Sequence, residues 1–259
     1  MAQPQAMKTR GPVTGTAVRH GDSKAPFVVQ FWRSAVVKKW LMALTGIMLF
    51  GFVFFHMIGN LKMYLGRNAT GVYHLDEYGE FLRNLLVPIL PRTVTLWLLR
   101  LGLIGAFGVH IAAAASLTAM NRRARPVRYQ SQRDYVAASF ASRTMRVTGV
   151  IFALFLVFHL ADLTWGWFNP GFVRGEVTRN LHASLSRVPV AILYILGNVA
   201  LGVHLWHGLW SMFQSLGWNS PRFNSWRRWF AQGFATLIVV GNLSFVFAWV
   251  TGALSFKAV

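Results

Sequence analysis

The chain has 259 residues, 54% of them hydrophobic and 13% charged, with 26 Lys+Arg against 7 Asp+Glu for a net charge of +19. In a soluble protein that charge would point to nucleic acid, but here the basic residues cluster between long apolar runs, so the anionic partner implied is membrane lipid and not nucleic acid. There is no cysteine, which excludes a disulfide framework, a thiolate-ligated centre and a complete Rieske site within this chain.

Residues 1–34 are polar, basic and rich in Gly and Pro, and lack the apolar core of a cleavable signal peptide. They are expected to form a cytoplasmic arm, partly disordered or ordered by a partner. The remainder, 35–259, is expected to be one haem-binding membrane domain. A helix needs about 20 apolar residues to cross the hydrocarbon, and five segments qualify: roughly 39–60, 94–120, 146–167, 188–216 and 229–252. The fold class is therefore all-α, a five-transmembrane-helix bundle. Between the first two spans, Tyr73, His74, Asp76, Glu77, Tyr78 and Glu80 suggest a short amphipathic helix, followed by Pro88 and Pro91. No internal repeat at a fixed period and no low-complexity tract stand out.

Lys and Arg set the orientation. The N-terminal stretch through Lys39 and the loops after the second and fourth spans carry 17, whereas the opposite side carries eight, Arg100 within a span being left out. The N-terminus is accordingly expected inside, in the cytoplasm, and the C-terminus outside.

Ionisable residues within spans are costly and mark functional sites by default. The first four spans hold His56, His110, His159 and the pair His204 and His207; the fifth holds none. At about 1.5 Å of rise per residue, His56 and His159 fall in the outer half, and His110 and His204 in the inner half. Two histidines from two helices at each of two depths are what bis-histidine ligation of haem iron requires. Gly197 and Gly208 near His204, Ala106, Ala113 and Ala114 near His110, and Gly59 near His56 are expected to leave room for a flat macrocycle. His207, one turn further along, competes with His204, and Gly197 and Gly208 favour the latter. His20, His74 and His182 lie outside the spans and read as solvated or interfacial.

Four segments carry a resemblance: HMIGNLKMYLG from His56, GVHIAAAASL around His110, VFHLADLTW around His159, and GVHLWHGLWSMFQSLG around His204, the last with an H-x-x-x-G-x-W-S pattern. Over about residues 35–255 the chain resembles the single-chain, two-haem cytochrome b membrane anchor of succinate dehydrogenase and fumarate reductase. The resemblance implies two haem b groups, the outer on His56 and His159 and the inner on His110 and His204. It also implies a flavoprotein and an iron–sulfur subunit docked on the cytoplasmic face of a prokaryotic inner membrane. Electrons would then reach menaquinone or another quinone, in either direction of the succinate–fumarate couple, and a higher oligomer of the complex stays open. A quinone taking two electrons also takes two protons, so its site needs a donor; Tyr78, Glu80 and Asp162 are the outer candidates, and Trp32, Ser34 and Lys38 mark an inner alternative. Rival readings are the cytochrome b anchor of another respiratory dehydrogenase, and a haem-free transporter or proton relay built on His and Asp.

Overall fold

The computed structural model describes residues 26–124, 140–218 and 220–256. The chain divides into two units, residues 1–34 and 35–259. In the first, Phe27–Arg33 forms a short helix, α1, on which the rings of Phe27 and Phe31 lie one turn apart, 5.8 Å between centroids. The arm expected to be partly disordered has a helical end, with Trp32 in the helix and Ser34 at its C-cap; His20 lies outside the described residues.

The second unit is all-α among the described residues. Its helices are α2 (Ala35–Asn60), α3 (His74–Arg83), α4 (Val94–Arg123), α5 (Phe140–Leu163), α6 (Val177–Leu185), α7 (Val188–Ser215) and α8 (Pro221–Val250), with a 3₁₀ turn at Leu61–Leu65. Five of them, α2, α4, α5, α7 and α8, are long and apolar enough to span a membrane, as the composition requires. Several run past the apolar segment read from the sequence. Helix α8 begins at Pro221 because Ser220 is extended and proline suits a first helical turn. The charged turns that follow are still helix: Arg227 is 1% exposed, its guanidinium 4.5 Å from the Trp210 ring centre. Hydropathy marks the hydrocarbon, whereas hydrogen bonding carries the helix beyond it. Gly217 (φ 85°) and Gly252 (φ 77°) take the left-handed conformation that closes α7 and α8.

Helix α7 is the centre of the packing, against α5 on one side and α8 on another; α2 pairs with α4 and touches α7 and α8 more lightly. Met57 of α2 meets Leu201, Leu205, Ala235 and Ile238 of α7 and α8 in one apolar core. Helix α4 buries only Ala106, Ala113 and Leu117, and leaves Trp97, Leu98, Leu101 and Ile104 exposed, as a lipid-facing surface does.

The two short helices α3 and α6 lie together at one end of the bundle. Helix α6 carries His182, which the sequence alone places only outside the spans. Asp76 of α3 ties them, its Oδ1 accepting the Thr178 N–H of the first turn of α6 at 2.8 Å. The carboxylate satisfies a helix N-terminus that has no cap of its own. Burial pushes the Asp76 carboxyl above its ordinary pKa, opposed by the hydrogen bonds from α6.

The first two spans and the next two play matching parts, and their sequences carry an internal repeat: Met42, Thr45, Gly46, Phe52, Phe55 and His56 recur 103 positions later as Met145, Thr148, Gly149, Phe155, Phe158 and His159. Gly-Val-His closes on His110 in α4 and again on His204 in α7. Unequal connecting segments shift the second match, which hides the repeat from any search at one fixed period.

Candidate functional site

The spanning helices bring the four histidines together in two pairs. The rings of His56 (α2) and His159 (α5) have centroids 6.0 Å apart, at the end that carries α3 and α6. Those of His110 (α4) and His204 (α7) are 6.5 Å apart, nearer the opposite end. His207 belongs to neither pair. An imidazole nitrogen binds a transition metal at about 2.0–2.1 Å, and the ring centre lies about 1.1 Å behind it, so two rings trans across one metal have centroids about 6.2–6.4 Å apart. The two observed separations, 6.0 and 6.5 Å, lie close to that spacing. Among the described residues no group of three or more His, Cys, Asp and Glu converges.

Each ring of the His110–His204 pair rests on the neighbouring helix. The His110 Nδ1 lies 3.1 Å from Thr45 Oγ1, and Thr45 itself donates to the Leu41 carbonyl at 2.6 Å. His204 Nδ1 lies 3.3 Å from the Met145 carbonyl. A Cβ at Gly46 would stand 3.6 Å from His110 Cε1, and one at Gly149 only 3.2 Å from His204 Cε1.

At the other end, Asp162 is fully buried one turn after His159. Its Oδ2 accepts hydrogen bonds from Ser184 of α6 and, at 3.1 Å, from the Tyr194 hydroxyl of α7. Its Oδ1 pairs with Arg187 Nη2 at 2.9 Å. Arg187 also donates to the Phe168 carbonyl at 2.5 Å and the Ala183 carbonyl at 3.2 Å, and its side chain is 33% exposed. Tyr194 packs its ring 5.8 Å from that of His159. Ser184, Arg187 and Tyr194 were not singled out by the sequence. Only the stripe Val177, Leu181 and Leu185, at i, i+4 and i+8, could have revealed the helix that aims Ser184.

The remaining expected residues are more dispersed. Glu80 is on the surface of α3, where Arg92, at 2.8 Å, Arg83 and Asn84 hold its carboxyl below the usual range. Tyr78 is half-buried, with Lys62 Nζ 5.6 Å from its ring centre. His74 pairs with Glu77 at 3.2 Å, and His182 packs on Trp249 and Phe256. Lys38 is buried, with Nζ 3.3 Å from Met120 Sδ.

Gly59 and Gly197, expected to leave room for a macrocycle, are filled by aromatic rings. A Cβ at Gly59 would strike the Tyr78 ring at 2.4 Å, and one at Gly197 the Phe155 ring at 2.2 Å. Those glycines admit aromatic side chains instead of clearing space for a macrocycle. Gly102, Gly105 and Gly108 of α4 meet nothing within 4 Å, and leave open room along the helix that bears His110.

A family model described as the succinate dehydrogenase/fumarate reductase transmembrane subunit matches residues 118–243, from the last turns of α4 into α8. No curated protein and no solved structure matches the chain.

Proposed function

We propose, from the premise that residues 118–243 belong to the succinate dehydrogenase/fumarate reductase transmembrane-subunit family, that this multi-pass membrane protein is the two-haem cytochrome b anchor of a succinate:quinone oxidoreductase. Electrons would cross its two histidine layers between an iron–sulfur partner, docked with a flavoprotein on the cytoplasmic face, and a quinone such as menaquinone. The observation that carries this reading is the pair of ring–ring distances, 6.0 and 6.5 Å, drawn from four successive long helices. His56 and His159 would hold the outer haem; His110 and His204 would hold the inner one. Haem b, when bound, supplies an iron that takes and releases one electron at a time.

The protein's own groups do the rest. The four imidazoles fix the two irons at separate depths, so that an electron entering on one face has a route to the other. The apolar spans keep water from the layers. The basic excess of the N-terminal side suits both lipid phosphates and a docked subunit. The quinone end is assigned to the outer surface, to Tyr78, Glu80 and Asp162. Asp162 is the member best supported as a proton-handling group: it lies beside the outer layer, and its hydrogen bonds lead through Arg187 to the surface. The protein is placed in a prokaryotic inner membrane, N-terminus inside.

A reduced-minus-oxidised visible spectrum and a haem-to-protein ratio of the purified complex test the reading. Two b-type haems per chain are expected, one of them lost in His204→Ala and both kept in His207→Ala. A complex without b-type bands would overturn it.

A further inference from the structure

The repeat puts a Thr-Gly pair ten residues ahead of His56 and another ten residues ahead of His159. Neither pair serves the histidine on its own helix. Thr45 and Gly46 lie against His110 of the partner helix, and Gly149, with the Met145 carbonyl one turn before it, lies against His204, while the Thr148 hydroxyl bonds back to its own helix. We propose that these are two matched seats that fix the tautomer and the plane of the inner-layer imidazoles, and that Thr45 and Gly149 are positioning residues for the inner haem. The inference rests on the two-haem reading.

The hydrogen bonds settle which nitrogen carries the proton. A backbone carbonyl only accepts, so at 3.3 Å from Met145 O the His204 Nδ1 must donate. A threonine hydroxyl has one hydrogen, and that of Thr45 is committed to Leu41 O at 2.6 Å. Its oxygen therefore accepts from His110 Nδ1 at 3.1 Å, beside the Met42 carbonyl, which also accepts from this imidazole as the Met145 carbonyl does from His204. A neutral imidazole has a single N–H, so in both rings Nε2 keeps the lone pair that binds iron. An acceptor behind Nδ1–H also makes the ring a stronger donor to the metal, as it does for histidines in other metal sites.

The glycines set the plane. Among the described residues, the atoms within 4 Å of a Cβ at Gly46 or Gly149 all belong to the seated histidine. Glycine at these two places serves the ring and not a general helix–helix contact. The seats differ in tightness: 3.6 Å at Gly46 is ordinary contact, whereas 3.2 Å at Gly149 requires the imidazole to give way.

The test uses potentiometric titration and low-temperature electron paramagnetic resonance of the intact complex, with the inner haem identified as the signal lost in His204→Ala. Thr45→Val should raise the midpoint potential of the inner haem alone, and Thr45→Ser should restore it. Gly149→Ala should shift the low-spin ferric signal of that haem or abolish it, while Gly51→Ala, which faces open space, leaves it unchanged. Unaltered potentials in Thr45→Val, or equal shifts of both haems, would overturn the proposal. Should Thr45→Val not accumulate, the two alanine variants decide: identical behaviour of Gly149→Ala and Gly51→Ala sinks it. A wild-type complex with no pair of b-type signals would instead refute the two-haem reading beneath it.

Discussion

The helix pairs α2–α4 and α5–α7 start from the same pattern and end differently. At one end both present a Met-x-x-Thr-Gly turn to an imidazole of the partner helix. At the other end they part three residues after the histidine, at Gly59 in the first pair and Asp162 in the second. Gly59 admits the ring of Tyr78, while Asp162 gathers Ser184, Arg187 and Tyr194. Their surroundings differ as well: α7 is enclosed by α5 and α8, but α4 shows most of its surface to lipid. A repeated frame can thus hold two alike layers and still give one end its own charge chemistry, because a single position on each helix selects a wedge or an ion pair.

The largest expected break in this contrast comes from Arg187→Ala, which strands the buried Asp162 carboxylate and should cost about 3–5 kcal/mol in thermal or denaturant unfolding of the protein in micelles. Adding Asp162→Asn should recover a large part of that loss, since no unpaired buried charge remains; no recovery would show that the pair matters through packing alone. Next, Gly59→Val forces a side chain into the Tyr78 ring and should destabilise by about 1–3 kcal/mol. Combining it with Tyr78→Ala should relieve the clash, and an unrelieved loss would deny the wedge. The smallest effect concerns the tie between the two short helices. Asp76→Ala should cost about 1 kcal/mol, as lost N-terminal caps do, while Asp76→Asn keeps an acceptor and should cost less.

Asp76 also carries a sign. Because its pKa is raised in the folded protein, the folded state holds that proton more tightly than the unfolded chain does. Its contribution is most favourable below the unfolded value and is lost as pH rises through the folded one. The stability of wild type minus that of Asp76→Asn should therefore fall with rising pH across the carboxylate range. A flat difference would refute the assignment. Glu80, lowered by Arg92, works in the opposite direction, which is why the difference between the two proteins, and not the wild-type curve, is the measurement.

The sequence shows the spans well, since about 20 apolar residues have few alternatives, and rise per residue suffices to match His56 with His159 and His110 with His204 in depth. It does not show what each side chain leans on. Thr45 looks like an ordinary threonine bonding back to its own helix until α4 brings His110 to it. Gly59 and Gly197 look like room for a cofactor until Tyr78 and Phe155 fill them. Helix α6 is short and polar on average, and its apolar stripe is three residues long, so its strength lies in the partners of Asp76 and Asp162, far away in the chain. Arg227 looks like a solvated loop charge because hydropathy cannot register its seat over Trp210.

Each ring pair takes one histidine from the first helix pair and one from the second. That arrangement has a bearing on biosynthesis. While the chain is being threaded into the bilayer, a nascent product that stops after α4 owns half of both sites and the whole of none. His56 waits for α5 to arrive, and His110 waits longer, for α7. A chain truncated between α5 and α7 would be able to close one site and never the second, so completeness of insertion is read out, span by span, in the number of sites closed.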